Sequence, residues 1–226
     1  MTDILNFIRN MDKVIEEMFG KTMSLSSSKF ERFYDCPFSY FVNYGLNIKK
    51  IEKAELSAAN RGTLLHYVLE KIVPIIDKCD LRTKIDEIIG EYTKTYSLTI
   101  REKARYERLA SWLYLLLTRL KEDLKKDGYK PVRFELNIDR KSEVEPIILK
   151  TEKGTEIFVR GKVDRVDIKN ENDTKYLRII DYKTGGKDFS TFGVYNGINL
   201  QMLIYLFAIL NNGKGELSNC TPSAVL

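Results

Sequence analysis

Apolar residues recur every three or four positions from Asp3 to Phe19, at Ile4, Phe7, Ile8, Met11, Ile15 and Met18, which predicts an amphipathic helix. Ser28 and Glu31 have the spacing of a capping box, so a second helix is predicted to start there, with Pro37 breaking or restarting it. Ala58 to Val73 reads as another helix, with Leu65, Leu69 and Ile72 on one face and Val68 beside them. A long helix is predicted over roughly Ile100–Lys126, and its broad apolar face predicts thorough burial. After Gly128 the period changes. Phe134, Leu136 and Ile138 alternate with Glu135, Asn137 and Asp139, which is strand spacing. "TEIFVRGKVDRVDI" and "YLRIIDYKT" read as further strands, joined by a turn over Glu171–Lys175. An apolar helix follows from about Ile198 to Leu210, and "TPSAVL" reads as the start of one more strand.

Helices, then strands, then a helix make an α+β or mixed α/β layout. No linker or repeat divides the chain, so residues 1–226 are expected to form a single domain. Its helical part covers about 1–127 and its sheet-containing part about 128–226. A chain ending inside an apolar strand is expected to be a fragment of a longer protein.

Composition narrows this little. The chain has 226 residues, 43% hydrophobic and 31% charged, as globular domains do. A net charge of +5 permits a polyanionic partner without requiring one. Three scattered cysteines, Cys36, Cys79 and Cys220, argue against a disulfide framework and for a reducing, cytoplasmic setting. No apolar run reaches the roughly 18 residues of a membrane helix, so no membrane partner is expected. "GKT" at Gly20–Thr22 has the ending of a P-loop, but Ile15 stands where that motif needs glycine.

The chemistry concentrates in five places. In "IIDYKTGG", Asp181 and Lys183 project from one strand face: a carboxylate able to hold a hard cation and an ammonium able to serve a phosphate or a water. An exposed ion pair at a strand end would show the same triplet. In "GKVDRVD", antiparallel pairing would bring Asp164 level with Asp181, leaving Asp167 as the surface member. Gly161 suits a bend or a close approach by another backbone. His66 is the only histidine, on the helix that begins "RGTLLH". Gln201 and Tyr205, four apart, share a helix face, and Glu135 is a further possible carboxylate.

In this order, "GTLLH", "GKVDRVD", "IIDYKTG" and "QMLIY" resemble the RecB-type branch of the PD-(D/E)XK nucleases, over Gly62 to Tyr205. "LSSSKFERFYDCPFSYFVNYGL" resembles the segment opening the nuclease domain of AddB-type subunits of bacterial AddAB helicase–nucleases. The resemblance implies a restriction-endonuclease-like core, a mixed central sheet flanked by helices, with a helical N-terminal part. It implies magnesium or manganese bound by His66, Asp164, Asp181 and the backbone carbonyl of Tyr182, with Lys183 as the catalytic lysine. Gln201 and Tyr205 match the family's Gln-x-x-x-Tyr motif, which supports the site and DNA contact. Cys36 matches the first ligand of a four-cysteine 4Fe–4S cluster. The other three ligands have no counterpart here, so the cluster is expected in a full-length protein and not in this chain, leaving Cys36 a buried free thiol. The implied activity is exonucleolytic hydrolysis of single-stranded DNA ends beside an AddA-type helicase–nuclease subunit, in double-strand-break repair and recombination. The alternatives are an inactive nucleic-acid-binding module or a subunit-docking module with the same fold.

Overall fold

The computed structural model describes residues 16–20, 22–48, 58–94, 99–152, 154–183, 191–196 and 200–226. Most of the helix predicted over Asp3–Phe19 lies outside them, as do Gly185 and Gly186. In chain order the elements are β1 (Thr22–Ser26), α1 (Ser27–Asp35), α2 (Pro37–Tyr40), α3 (Ala58–Ile72), α4 (Leu81–Thr93) and α5 (Ile100–Asp127). Then come β2 (Lys130–Ile138), β3 (Ile147–Lys150), β4 (Glu156–Glu171), β5 (Thr174–Ile180), α6 (Thr191–Tyr195), α7 (Gln201–Asn212) and β6 (Thr221–Val225).

The chain divides into two compact units. The first comprises Met1–Ile51, Asn137–Lys162 and Asp188–Asn219; the second comprises Glu52–Leu136, Val163–Lys187 and Cys220–Leu226. Strand β4 contributes Glu156–Lys162 to the first and the rest of its length to the second.

In the first unit β1 runs parallel to β4, from Thr22 opposite Glu156 to Ser26 opposite Arg160, and β3 runs antiparallel to it. The cap of helix α1 lies two residues earlier than the Ser28–Glu31 spacing predicts. Ser26 is the cap, accepting from the Lys29 N–H at 3.3 Å, while the Ser28 hydroxyl pairs with that of Ser26 at 3.0 Å. Pro37 restarts the helix as predicted, and the Cys36 sulfur accepts from the Ser39 N–H at 3.4 Å. Cys36 is exposed rather than buried, because it caps a helix end where the chain turns through solvent. Helix α7 buries Tyr205, Ala208 and Ile209.

The second unit has a helical core. Leu64, Val68, Leu69 and Ile72 of α3 pack with Ile85 and Ile88 of α4 and Leu113 and Leu117 of α5. Helix α4 has no counterpart among the sequence-predicted elements. Its signals are local: Asp80 caps it by accepting from the Thr83 N–H at 2.8 Å, and Leu81, Ile85, Ile88 and Ile89 line its inner face. Helix α5 opens in a Thr99–Glu102 capping box and stops at Gly128, whose φ of 73° suits glycine. It buries a narrower face than predicted. Trp112, Tyr114 and Leu115 stay exposed, since packing from one side covers only part of a helix circumference.

Strands β4 and β5 form an antiparallel hairpin whose register runs from Glu171 opposite Thr174 to Arg165 opposite Ile180. Asn172 and Asp173 both take positive φ, as a two-residue turn of this hand requires. Strand β6 lies parallel to β5. Parallel and antiparallel pairings thus occur in both units beside helices, which is the mixed α/β class expected. None of the described helices is long and apolar enough to cross a membrane.

Candidate metal centre and its support

The hairpin register sets the site. One step beyond Arg165 opposite Ile180, the chain reaches Asp164 on β4 and Asp181 past the end of β5. At that step the pairing frays, and the free backbone groups of Tyr182 turn to side chains. The Tyr182 N–H donates to Asp164 Oδ2 at 2.6 Å, and the Tyr182 carbonyl lies 2.8 Å from His66 Nε2. The other ring nitrogen, Nδ1, stands 3.3 Å from Asp164 Oδ1 and 3.9 Å from Glu135 Oε1. One imidazole is therefore surrounded by oxygens on both sides.

His66, Glu135 and Asp164 form the one group of three or more possible metal-ligating side chains among the described residues, with ligand atoms within 4.8 Å of one another. Glu135 comes from β2, where strict alternation gives no reason for it to join. Its φ of 49° supplies one. A left-handed residue inside an extended strand breaks the two-residue period and re-aims the side chain, at a cost of about 1–3 kcal/mol. That strained conformation brings Glu135 to the imidazole while Phe134 packs against the helical core and Leu136 is buried.

Asp181 stands outside this group of three. Its Oδ2 pairs with Lys183 Nζ at 2.7 Å, with the Asp181 carboxyl buried and the lysine half exposed. The two predicted same-face residues therefore do meet. Burial raises the Asp181 carboxyl above the usual carboxylate range, with Lys183 opposing the shift and the nearby charge of Asp164 adding to it. His66 is raised above the usual histidine range, chiefly by its hydrogen bond to Asp164, with burial opposing. Without metal, the imidazole fits best with protons on both nitrogens. The donor set suits a hard divalent cation: carboxylate oxygens, a backbone carbonyl and one imidazole, with no thiolate.

Beneath the site lies a charge network that charge patterning along the sequence misplaces. Asp167, expected at the surface, is fully buried. It pairs with its cross-strand neighbour Arg178, whose Nε and Nη2 lie 2.9 and 2.8 Å from Oδ2, and with Arg165, whose Nη2 lies 3.0 Å from the same oxygen. Arg165 Nε is also 2.8 Å from Asp167 Oδ1, but off the hydrogen-bond direction, so that contact is coulombic rather than directed. Arg178 reaches on to Asp127 and stacks over the Tyr129 ring. Arg165 Nη1 donates to the Tyr182 hydroxyl at 2.8 Å. Burial pushes that phenol up to about 12. Tyr182 is thus fixed by its side chain on one face of the hairpin while its backbone serves the site on the other. The signal was present in the sequence: Val163, Val166 and Ile168 surround Arg165 and Asp167, so both faces of β4 are apolar enough to be buried.

The remaining predicted residues belong to the first unit. Gln201 and Tyr205 both line a cleft there, and Gly161 forms part of its wall. A Cβ on Gly161 would lie 2.1 Å from the Tyr205 ring, so the glycine admits that side chain rather than a bend or a backbone. Cys36 also lies in the first unit.

Residues 24–224 match the sequence pattern of the PD-(D/E)XK nuclease superfamily. The chain is 34% identical over 230 residues to the B-type subunit of the ATP-dependent helicase/deoxyribonuclease of Clostridioides difficile strain 630, covering 95% of this chain and 20% of that protein. It is 37% identical to the protein of the same name from Clostridium botulinum strain Langeland, with the same coverage, and 30% identical to that of Acetivibrio thermocellus, over 94% of this chain and 20% of that protein. The chain spans about a fifth of the length of these relatives. The match across nearly the whole sequence makes this chain a member of the PD-(D/E)XK nuclease superfamily.

Proposed function

We propose that the chain is a magnesium- or manganese-dependent exonuclease domain that hydrolyses phosphodiester bonds of single-stranded DNA ends. In this reading it is the nuclease part of an AddB-type subunit, working in the cytoplasm beside an AddA-type helicase–nuclease subunit in double-strand-break repair and recombination. The observation that carries the reading is the convergence of His66, Glu135, Asp164 and the Tyr182 carbonyl, next to the Asp181–Lys183 pair.

His66, Asp164, Asp181 and the Tyr182 carbonyl would hold the metal, and Glu135 would complete the set. A bound divalent ion would polarise the phosphoryl oxygen and lower the pKa of a water. The chain's own groups do the rest. The Asp164 carboxylate fixes Tyr182 through its N–H, so the carbonyl keeps its aim. The His66 imidazole gives up a proton when it becomes a ligand. Lys183, half exposed at the end of the hairpin, supplies positive charge for the developing anion. Asp181 holds that ammonium until a phosphate competes for it. Gln201 and Tyr205 are assigned to DNA contact.

Cys36 would contribute one thiolate to a 4Fe–4S cluster in a longer protein. A cluster needs four, and among the described residues no cysteines converge, so no step here runs through one.

The test is cleavage of end-labelled single-stranded DNA with magnesium, manganese or chelator, beside Lys183→Ala. The expected result is metal-dependent loss of label, reduced by roughly 100-fold or more in the variant, the scale of removing one charge-stabilising donor. Equal cleavage by both proteins, or cleavage in chelator, would refute it.

A further inference from the structure

Helix α5 has two unlike faces. Tyr106, Ala110, Leu113 and Leu117 are buried in the helical core. On the opposite side Arg101, Arg105, Arg108, Trp112, Leu115 and Arg119 are all exposed. Steps of four, three, four, three and four residues keep these six in one row along the helix. At the rise of an α-helix the row is about 27 Å long.

The row weakens the helix that carries it. Arg101 and Arg105 are like charges four residues apart, and Arg105 and Arg108 are three apart, so both pairs repel. Arg101 also lies in the first turn, where the helix dipole disfavours a cation. The carboxylate of Glu102 is engaged in the Thr99 cap. Arg101 and Arg108 pair with no carboxylate among the described residues. Arg119 does pair, with Asp123 at 3.4 Å, so the uncompensated charge lies toward the start of the helix. Trp112 and Leu115 stand within the row at 48% and 67% exposure, on a face that points away from the core. Arg82 of α4 donates to the Ser111 hydroxyl at 3.4 Å and adds a guanidinium beside Trp112.

A row of guanidinium groups complements a chain of phosphates, whose negative charge recurs along its length without a matched partner for each arginine. An exposed indole among them is a stacking platform for an unpaired base. Bases in a duplex already stack on one another, so the indole favours a single strand. A partner helix fits less well, because it needs an apolar seam and two of the six positions are apolar.

We infer that the outer face of α5 is a binding surface for single-stranded nucleic acid outside the metal centre, with Trp112 stacked on a base and Arg101, Arg105 and Arg108 on phosphates. The choice of DNA over RNA rests on the nuclease reading above; the arginine row and the indole do not.

Trp112 is the only tryptophan in the chain, so its emission reports on this face directly. The experiment titrates the full chain with (dT)20 in chelator. It follows tryptophan emission and the anisotropy of a labelled oligonucleotide at several salt concentrations. The expected result is quenching that saturates together with the anisotropy. Trp112→Ala is expected to weaken binding by roughly tenfold or more, the loss of one stacked base. Arg105→Gln with Arg108→Gln is expected to lower the salt slope by about 1.4, two phosphate contacts on a single strand. All three positions are exposed, so circular dichroism and the manganese-induced melting shift are expected to stay at wild-type values. Wild-type affinity and salt slope in these variants, or binding without quenching, would overturn the surface. Equal quenching by poly-L-glutamate would overturn nucleic acid in favour of an acidic protein. Tighter binding of (rU)20 than of (dT)20 would overturn the choice of DNA. Normal binding by variants of a chain whose cleavage needs Lys183 sinks the surface alone. Quenching and weakened variants in a chain whose cleavage ignores Lys183 sink the nuclease reading alone.

Discussion

Replacing Asp167 with Asn tests whether the buried charge network holds the hairpin under the site. Asp167 is wholly buried, and Arg165 and Arg178 beside it are 3% and 9% exposed. The carboxylate receives three directed contacts between 2.8 and 3.0 Å and one coulombic contact at 2.8 Å. Asn keeps one acceptor oxygen and loses the charge, leaving two guanidinium groups facing each other out of water. Arg178 retains Asp127, which is one-third exposed; Arg165 retains only the neutral Tyr182 hydroxyl. Removing one partner of a buried ion pair costs about 3–5 kcal/mol. For a chain of this size each kcal/mol lowers the melting temperature by about 2–4 °C, so the expected fall is roughly 6–20 °C. Calorimetry and urea titration of the metal-free chain measure it. Adding Arg165→Met to the Asn variant is expected to recover part of the loss, because the penalty comes from an uncompensated charge rather than from lost volume. A single variant within about 1 kcal/mol of wild type, or a double variant less stable than the single, would refute the reasoning.

Two further outcomes follow from the same geometry. The raised pKa of His66 means that the metal-free fold binds that proton more tightly than the unfolded chain does; this contribution is complete below the ordinary histidine value and is lost as pH rises through the folded one. A metal competes with the same proton, and with the proton favoured by buried Asp181, so manganese-induced thermal stabilisation should grow from pH 6 to pH 8 and should lose that growth in His66→Asn. Gly161→Ala would place a Cβ 2.1 Å from the Tyr205 ring, so a destabilisation of about 1–3 kcal/mol in urea titration is expected, together with weaker DNA binding as Tyr205 leaves its seat.

Much of this was legible in the residues. Helix α3 and the buried set Leu65, Val68, Leu69 and Ile72 follow from spacing alone, because a single helical face was packed. The β4–β5 hairpin follows from two apolar runs and a turn whose Asn172 and Asp173 tolerate left-handed backbone. The family motifs mark His66, Asp164, Asp181 and Lys183 for the same site, and the fold brings His66 to Asp164 and Asp181 to Lys183.

Tertiary structure decided the rest, wherever the outcome turned on what lay across the chain. Periodicity places Glu135 on a strand face but cannot foresee a left-handed φ that breaks the period and turns it to His66. Charge marks Asp167 as a surface residue until Arg178 stands opposite it and Arg165 beside it, for burial of a charge depends on partners 11 residues away and closer. The exposure of Trp112 and Leu115 depends on how much of α5 its neighbours cover. Local sequence fixes local backbone preference and the faces of each element. Which side chains lose their water, and which charges can bear that loss, is settled only when the elements meet.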